Sequence, residues 1–353
     1  MRFAFSDIKI MALDSTKWIV ASILTSAACC LYAFVIESIS EFAIDCSYLL
    51  LAMPVGAAVI TTIRRRCGFK GVKAYVDVVA TWVSHFCGAS VGKEAVGIEL
   101  GKDLSRRVLK RMGMRSGRKS DMLGCLAAFS SLFSTPISGI AFCIEEREFK
   151  PRLHDIPMIV VTAACAFAFS RLVGMRPLRF ALAADDRMSF RFFILVFASA
   201  AFAGVVSLGY VKLRKLIASR SEKFDSEDVI LLSIAALALS FVSFNVIGNR
   251  YVNGLSVSFF SYQTLGLEAG ILLFSILAKV VLTALCVSAG FAGGEFVPFL
   301  VIGFLSGAFV ARLAGMNSIA MPVFGAFASL ACGKKIPYTS FMLLVESLLA
   351  NFL

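Results

Sequence analysis

The sequence predicts an all-α integral membrane protein built from many tilted and broken helices in two related repeats, parallel or inverted. Three observations carry that reading. Of the 353 residues, 59% are hydrophobic and only 16% are charged, against about 25% charged in a soluble domain. The apolar sequence comes in many short pieces, few of them long enough to cross a bilayer alone. And one offset, 201 residues, relates two pairs of motifs.

A simple spanning helix needs about 20 apolar residues. Runs of that kind lie at 18–38, 47–63, 156–173, 190–217, 229–248 and 268–289. The first run has no convincing small-residue cleavage site and is expected to stay as a helix. Shorter or interrupted pieces lie at 75–87, 92–111, 122–133, 136–146, 255–266, 295–312, 319–332 and 336–350. Glycine, proline or a charge separates them. Broken helices at membrane depth are tolerated where they are buried in protein or line a polar cavity. Transporters use such half-helices to aim their ends at a substrate. No soluble domain, low-complexity tract or long linker interrupts this pattern, so one transmembrane domain over 1–353 is expected.

The net charge is +12. The basic residues fall between apolar runs, in "RRRCGFKGVK" (64–73), "GKDLSRRVLKRMGMRSGRK" (101–119), "REFKPR" (147–152) and "KLRKLIASRSEK" (212–223). Cytoplasmic loops collect Lys and Arg, so the charge reads as topology in a multi-pass cell-membrane protein and not as a nucleic-acid surface. The 10 cysteines show no metal-ligand spacing and read as small buried hydrophobes. No hydrolase or oxidoreductase constellation is present, which argues against an enzyme.

The repeat joins "VGKEAVGI" to "GGEFVPFL" (293–300), and "STPISGIAFCIEE" (134–146) to "KIPYTSFMLLVES" (335–347). Gly92 maps to Gly293, Glu94 to Glu295, Pro136 to Pro337 and Glu145 to Glu346, all at the same offset. Repeat one is expected over about 17–175 and repeat two over about 188–353. Related halves place a transport site at their interface.

Both glycine-rich bends read as helix N-termini, where unpaired N–H groups and a partial positive charge receive anions. The candidate anion-binding residues are Gly92, Lys93 and Ala95 in the first bend, and Gly293, Gly294, Glu295, Phe296 and Val297 in the second. Glu94 can mimic the anion when ionised and leave when protonated, which makes a gate that also carries a proton. The plainer reading is that Glu94 complements the dipole of its own first turn. Lys93 is either a direct ligand or a charge reaching for the membrane surface.

These segments resemble the CLC family of chloride channels and anion/proton antiporters. "GKEAVGIELG", "FSTPISGIAFCIEE" and "KVVLTALCVSAGFAGGEFVPFLVIG" are similar to three family signatures, in the family's order, and the resemblance covers about 17–350. It implies the CLC-type fold with its two repeats inverted, a homodimer in the lipid bilayer, one anion pathway per subunit and no nucleotide or metal cofactor. It further gives Glu94 the place of the external gating glutamate and Glu146 that of an internal proton-transfer glutamate. The alternative for Glu146 is a membrane-edge acid paired with Arg147 or Lys150. "GFKGVKAYVDVV" (68–79) stands where the serine signature is expected, so Gly71 and Val72 join the candidate anion site. That departure, together with Glu295, resembles the fluoride/proton antiporter branch. The function implied is fluoride, or chloride, exchange for protons. The alternatives are a passive voltage-gated-type chloride channel and a truncated, non-transporting homologue. Truncation is expected because the chain stops at Leu353, before the family's last helix with its anion-site tyrosine.

The charge pattern predicts that the four basic stretches share the cytoplasmic side. In an otherwise cysteine-free chain, Arg115→Cys should stay unreactive towards an external, membrane-impermeant thiol reagent. Rapid labelling from outside intact cells would contradict that topology.

Overall fold

The computed structural model describes residues 5–66, 73–114, 117–145, 149–175, 189–221, 226–247, 252–255, 260 and 262–349. Its regular structure is helical: α1 (Phe5–Asp45), α2 (Met53–Arg66), α3 (Lys73–Phe86), α4 (Glu94–Arg111), α5 (Arg118–Phe133), α6 (Pro136–Glu145), α7 (Ile156–Leu172), α8 (Phe190–Ser221), α9 (Ser226–Ile247), α10 (Ala269–Ser288), α11 (Phe296–Leu313), α12 (Ala320–Lys334) and α13 (Pro337–Leu349). Among the described residues, five stretches are long and apolar enough to cross a membrane: Thr16–Ala43, Phe190–Ser219, Glu227–Asn245, Ala269–Ser288 and Phe296–Leu313. The predicted all-helical, membrane-embedded class is therefore what the chain adopts.

Proline explains several boundaries. Pro54 lies at the second position of α2, Pro157 at the second of α7, and Pro136 and Pro337 at the first of α6 and α13. Pro298 and Pro322 stand third in α11 and α12. A first turn has no internal partner for its N–H groups, so proline loses nothing there. Two expectations change for this reason. The run at 47–63 is not one helix: a 3₁₀ turn, Ser47–Ala52, precedes α2. The run at 295–312, read as interrupted, is a continuous 18-residue helix. Of the piece at 255–266, the described part is a 3₁₀ turn at Tyr262–Gly266. The basic run at 212–223, read as a loop, belongs to α8 as far as Ser221.

The chain forms two compact units, Met1–Phe34 with Gly97–Leu178, and Val35–Val96 with Arg179–Leu353. Their boundaries cut across the sequence halves at 17–175 and 188–353. In the first unit α5 packs on α6 and α7. Leu109, Leu123 and Ala21 are buried together, with Trp18, Val108, Met114 and Met158 around them. Gly101 of α4 and Gly124 of α5 bring their backbones into direct contact, leaving no room for a Cβ. Ser105 Oγ donates to the Ser120 carbonyl at 2.6 Å, and Arg106 Nη2 to Asp121 Oδ2 at 2.6 Å. Ser22 and Thr162 share a hydrogen bond of 2.8 Å.

The second unit centres on α8, α11 and α12. Gly303 of α11 meets Gly325 of α12 backbone to backbone, and Gly307 of α11 meets Met321 and Pro322 of α12 in the same way. Ser329 Oγ donates to the Phe299 carbonyl at 2.6 Å, and Ser207 of α8 bonds Ser329. Small residues that admit close backbone approach, with hydroxyls bonded across helices, are how helices associate in lipid, where apolar contact between helices gains little over contact with acyl chains. Phe190, Phe197, Leu231 and Phe241 point outwards, as lipid-facing side chains do.

Left-handed backbone recurs at nearly the sequence offset. Gly88 (φ 72°) is matched by Gly290 (φ 82°), Gly113 (φ 76°) by Gly315 (φ 65°), and Ser134 (φ 56°) by Lys335 (φ 60°). The last pair carries side chains in a region that non-glycine residues rarely enter. Each ends one helix two residues before a proline opens the next.

Candidate functional site: paired glycine bends and two buried carboxylates

Residues 87–93 and 289–295 are the bends before α4 and α11, and both lie in the second unit. Each is pinned where it leaves its preceding helix. Ala89 N–H donates to the Ser84 carbonyl at 2.9 Å and Phe291 N–H to the Cys286 carbonyl at 3.1 Å. Ser84 Oγ accepts the Ala292 N–H at 2.9 Å, and Ser90 shares a hydrogen bond of 2.8 Å with Thr283 of α10. Arg64 of α2 donates to the Gly290 carbonyl at 2.9 Å and pairs with Asp77 of α3.

The bends then meet. Gly92 N–H donates to the Gly294 carbonyl and Gly294 N–H to the Gly92 carbonyl, both at 2.6 Å, as an isolated antiparallel bridge. These two glycine amides are thus engaged with each other. The helix ends beside the bridge are the first turns of α4 and α11, whose N–H groups have no partner within their own helix. The glycines contribute close approach in place of hydrogen bonds. A Cβ on Gly293 would stand 2.6 Å from both the Gly92 carbonyl oxygen and the Val91 Cβ.

Glu94 occupies the space that the bridge creates. A Cβ on Gly92 or on Gly294 would overlap its carboxylate. The residue is 3% exposed, and neither carboxylate oxygen has a hydrogen-bond partner. The N–H groups of Glu94 itself and of Val297 lie near it, outside hydrogen-bond geometry, and Lys93 and Lys334 are the cations whose charge reaches it. A buried carboxylate without a partner is costly. Here only helix-end dipoles and those two charges offset the cost. Lys93 itself is buried and pairs with Glu37.

Glu295 has the opposite surroundings. It stands before the first turn of α11 and its side chain is 9% exposed. Tyr210 Oη donates to Oε1. Arg214 Nη1 and Lys334 Nζ both reach Oε2, at 2.9 and 3.4 Å. Sequence reading missed these three partners. Tyr210 and Arg214 are four apart on α8 and so share a face, which was a readable signal; nothing local joined them to Glu295. Lys279 was also readable as a lone cation within an apolar run. It is fully buried, and its ammonium donates to the Val252 and Gly254 carbonyls at 3.0 and 3.1 Å. Gly71, Val72 and Glu146 lie outside the described residues.

The comparisons with known proteins agree with this architecture. A family model described as "Voltage gated chloride channel" matches residues 52–351. The chain belongs to this family. It is 22% identical over 322 residues to the chloride/fluoride channel protein of Pseudomonas syringae pv. tomato, covering 87% of this chain and 70% of that protein. It is 25% identical over 286 residues to the H(+)/Cl(-) exchange transporter ClcA of Salmonella agona, covering 73% of this chain and 58% of that one. The chain thus spans little more than half the length of the ClcA relatives. Among solved structures, a CLC-type fluoride/proton antiporter superposes with a TM-score of 0.78 at 19% identity, over 98% of this chain and 97% of the other. A slow cyanobacterial Cl-/H+ antiporter superposes at 0.78 with 16% identity, over 94% and 88%. At these identities the structural likeness establishes the fold.

The bridge predicts a steep local intolerance. Gly293→Ala should lower the stability of the detergent-purified chain by about 1–3 kcal/mol, as overpacking against backbone does. Gly270→Ala, which meets nothing within 4 Å, should change it by less than about 0.5 kcal/mol. Equal thermal unfolding midpoints for the two variants would contradict the close approach.

Proposed function

We propose that the chain exchanges a small anion for protons across the cell membrane, with Glu94 as gate and proton carrier. The observation that carries this reading is the Glu94 carboxylate itself: buried, without a hydrogen-bond partner, and lodged against Gly92 and Gly294. An anion that enters replaces one buried negative charge with another, so the exchange costs far less than adding a charge to an empty apolar site. A proton taken up by Glu94 removes its claim on the helix ends and lets the side chain leave. Anion entry and proton uptake are thereby linked through a single carboxylate.

Fluoride is the preferred cargo and chloride the second. Glu295 in the glycine motif supports fluoride, as do the names of one relative and one structural neighbour, each said to handle that ion. The two halves are proposed to be inverted repeats, supported by the shared sequence offset and by the recurring left-handed positions. The working unit is proposed to be a homodimer in the bilayer, with one pathway per subunit.

Proton and anion fluxes measured in the same proteoliposomes test the reading. The native chain should release fluoride and take up protons in a fixed ratio. Glu94→Gln keeps the size of the side chain but cannot ionise, so it should abolish proton movement while leaving or raising passive anion flux. Unchanged, stoichiometric proton coupling in Glu94→Gln would overturn the gate. Chloride efflux about tenfold faster than fluoride efflux, a barrier difference of about 1.4 kcal/mol, would overturn the choice of anion and leave the gate standing.

A further inference from the structure

The Glu295 carboxylate is held by more cationic charge than it needs. Here a guanidinium, an ammonium and a phenol converge on it from two helices, Arg214 and Tyr210 on α8 and Lys334 at the end of α12. One carboxylate and two cations sum to a net charge of +1 for these side chains, with Lys334 also within electrostatic reach of Glu94. Arg214 and Lys334 are 45% and 35% exposed, so the excess charge is reachable from water. Phe299 forms the wall behind: its ring centroid lies 5.1 Å from that of Tyr210, edge to face, and Lys334 Nζ lies 5.8 Å above it.

The geometry also places one atom where an anion would sit. Oε2 lies within reach of both Arg214 Nη1 and Lys334 Nζ. A monatomic anion at that position would meet both cations at once. Charge-assisted donors of this kind are the strong ones.

We infer that Tyr210, Arg214 and Lys334 form a second halide-binding site, beside the place that Glu94 fills, whose resident occupant is the Glu295 side chain. A halide arriving from water displaces that carboxylate from Arg214 and Lys334. No covalent step is involved. The site requires only these side chains; its part in transport rests on the anion-exchange reading above.

Direct binding tests this apart from transport. The purified full chain is titrated calorimetrically with sodium chloride in a gluconate buffer. Glu295→Gln retains the Tyr210 hydrogen bond and removes the competing charge. It should bind one more chloride per chain than the native protein, or bind at this site at least about tenfold more tightly. Adding Arg214→Gln to it should abolish the gain, whereas Glu94→Gln should not. Glu295→Ala is the second neutral variant and should behave like Glu295→Gln. Unchanged stoichiometry and affinity in a folded neutral variant would overturn the site. Should neither variant purify as a folded species, bromide-soaked crystals of the native chain decide: an anomalous peak between Arg214 and Lys334 supports the site, and no peak there overturns it. If chloride binding fails here while Glu94→Gln still uncouples protons, the second site falls and the gate stands.

Discussion

The two hydrogen bonds between Gly92 and Gly294 are the constraint on which the rest of the site depends. They are made between bends that are some 200 residues apart in sequence, and they fix where two helices begin. Once the backbones are that close, a Cβ on Gly293 would meet the Gly92 carbonyl, and one on Gly92 or Gly294 would meet the Glu94 carboxylate. Side chains then complete the arrangement. Ser84, Ser90 with Thr283, and Arg64 fasten the bends to α3, α10 and α2, so the bridge is supported from several elements and does not rest on its own two bonds.

Two acids related by the sequence offset occupy opposite surroundings. Glu94 has no hydrogen-bond partner, and Glu295 has three. Removing an ion from water costs several kcal/mol even after relaxation. For Glu295 the cost is met by Arg214, Lys334 and Tyr210, and the group is held. For Glu94 it is met only by helix ends and by charges at a distance, and the group is poised. A poised carboxylate beside two helix N-termini suits a competitor of anions. A held one suits a fixed feature that a stronger competitor must displace. The same residue type serves both purposes because the neighbours differ.

Much of this was legible in the sequence, for identifiable reasons. Apolar runs interrupted by glycine and proline announced short helices. The Gly-x-Glu spacing placed Glu94 at a helix start. The shared offset tied the two bends together before any contact was known. Other features were not legible, because they are made by tertiary contact. Arg214 lies in a basic run that reads as a loop, yet α8 continues through it and turns that residue, with Tyr210, towards Glu295. The glycine amides read as anion donors, yet they bond each other, which no local pattern reveals. Pro298 reads as an interruption, yet a first turn accommodates it, so α11 runs unbroken.

The central claim is that Glu94 and the transported anion compete for one place. Infrared difference spectroscopy of the purified chain, recorded on addition of fluoride, tests it most directly. The account predicts that anion binding brings up the carbonyl band of a newly protonated carboxylic acid, and that Glu94→Gln deletes this band while fluoride still binds. Fluoride binding with no change in the carboxyl region, or a band that persists in Glu94→Gln, would contradict it.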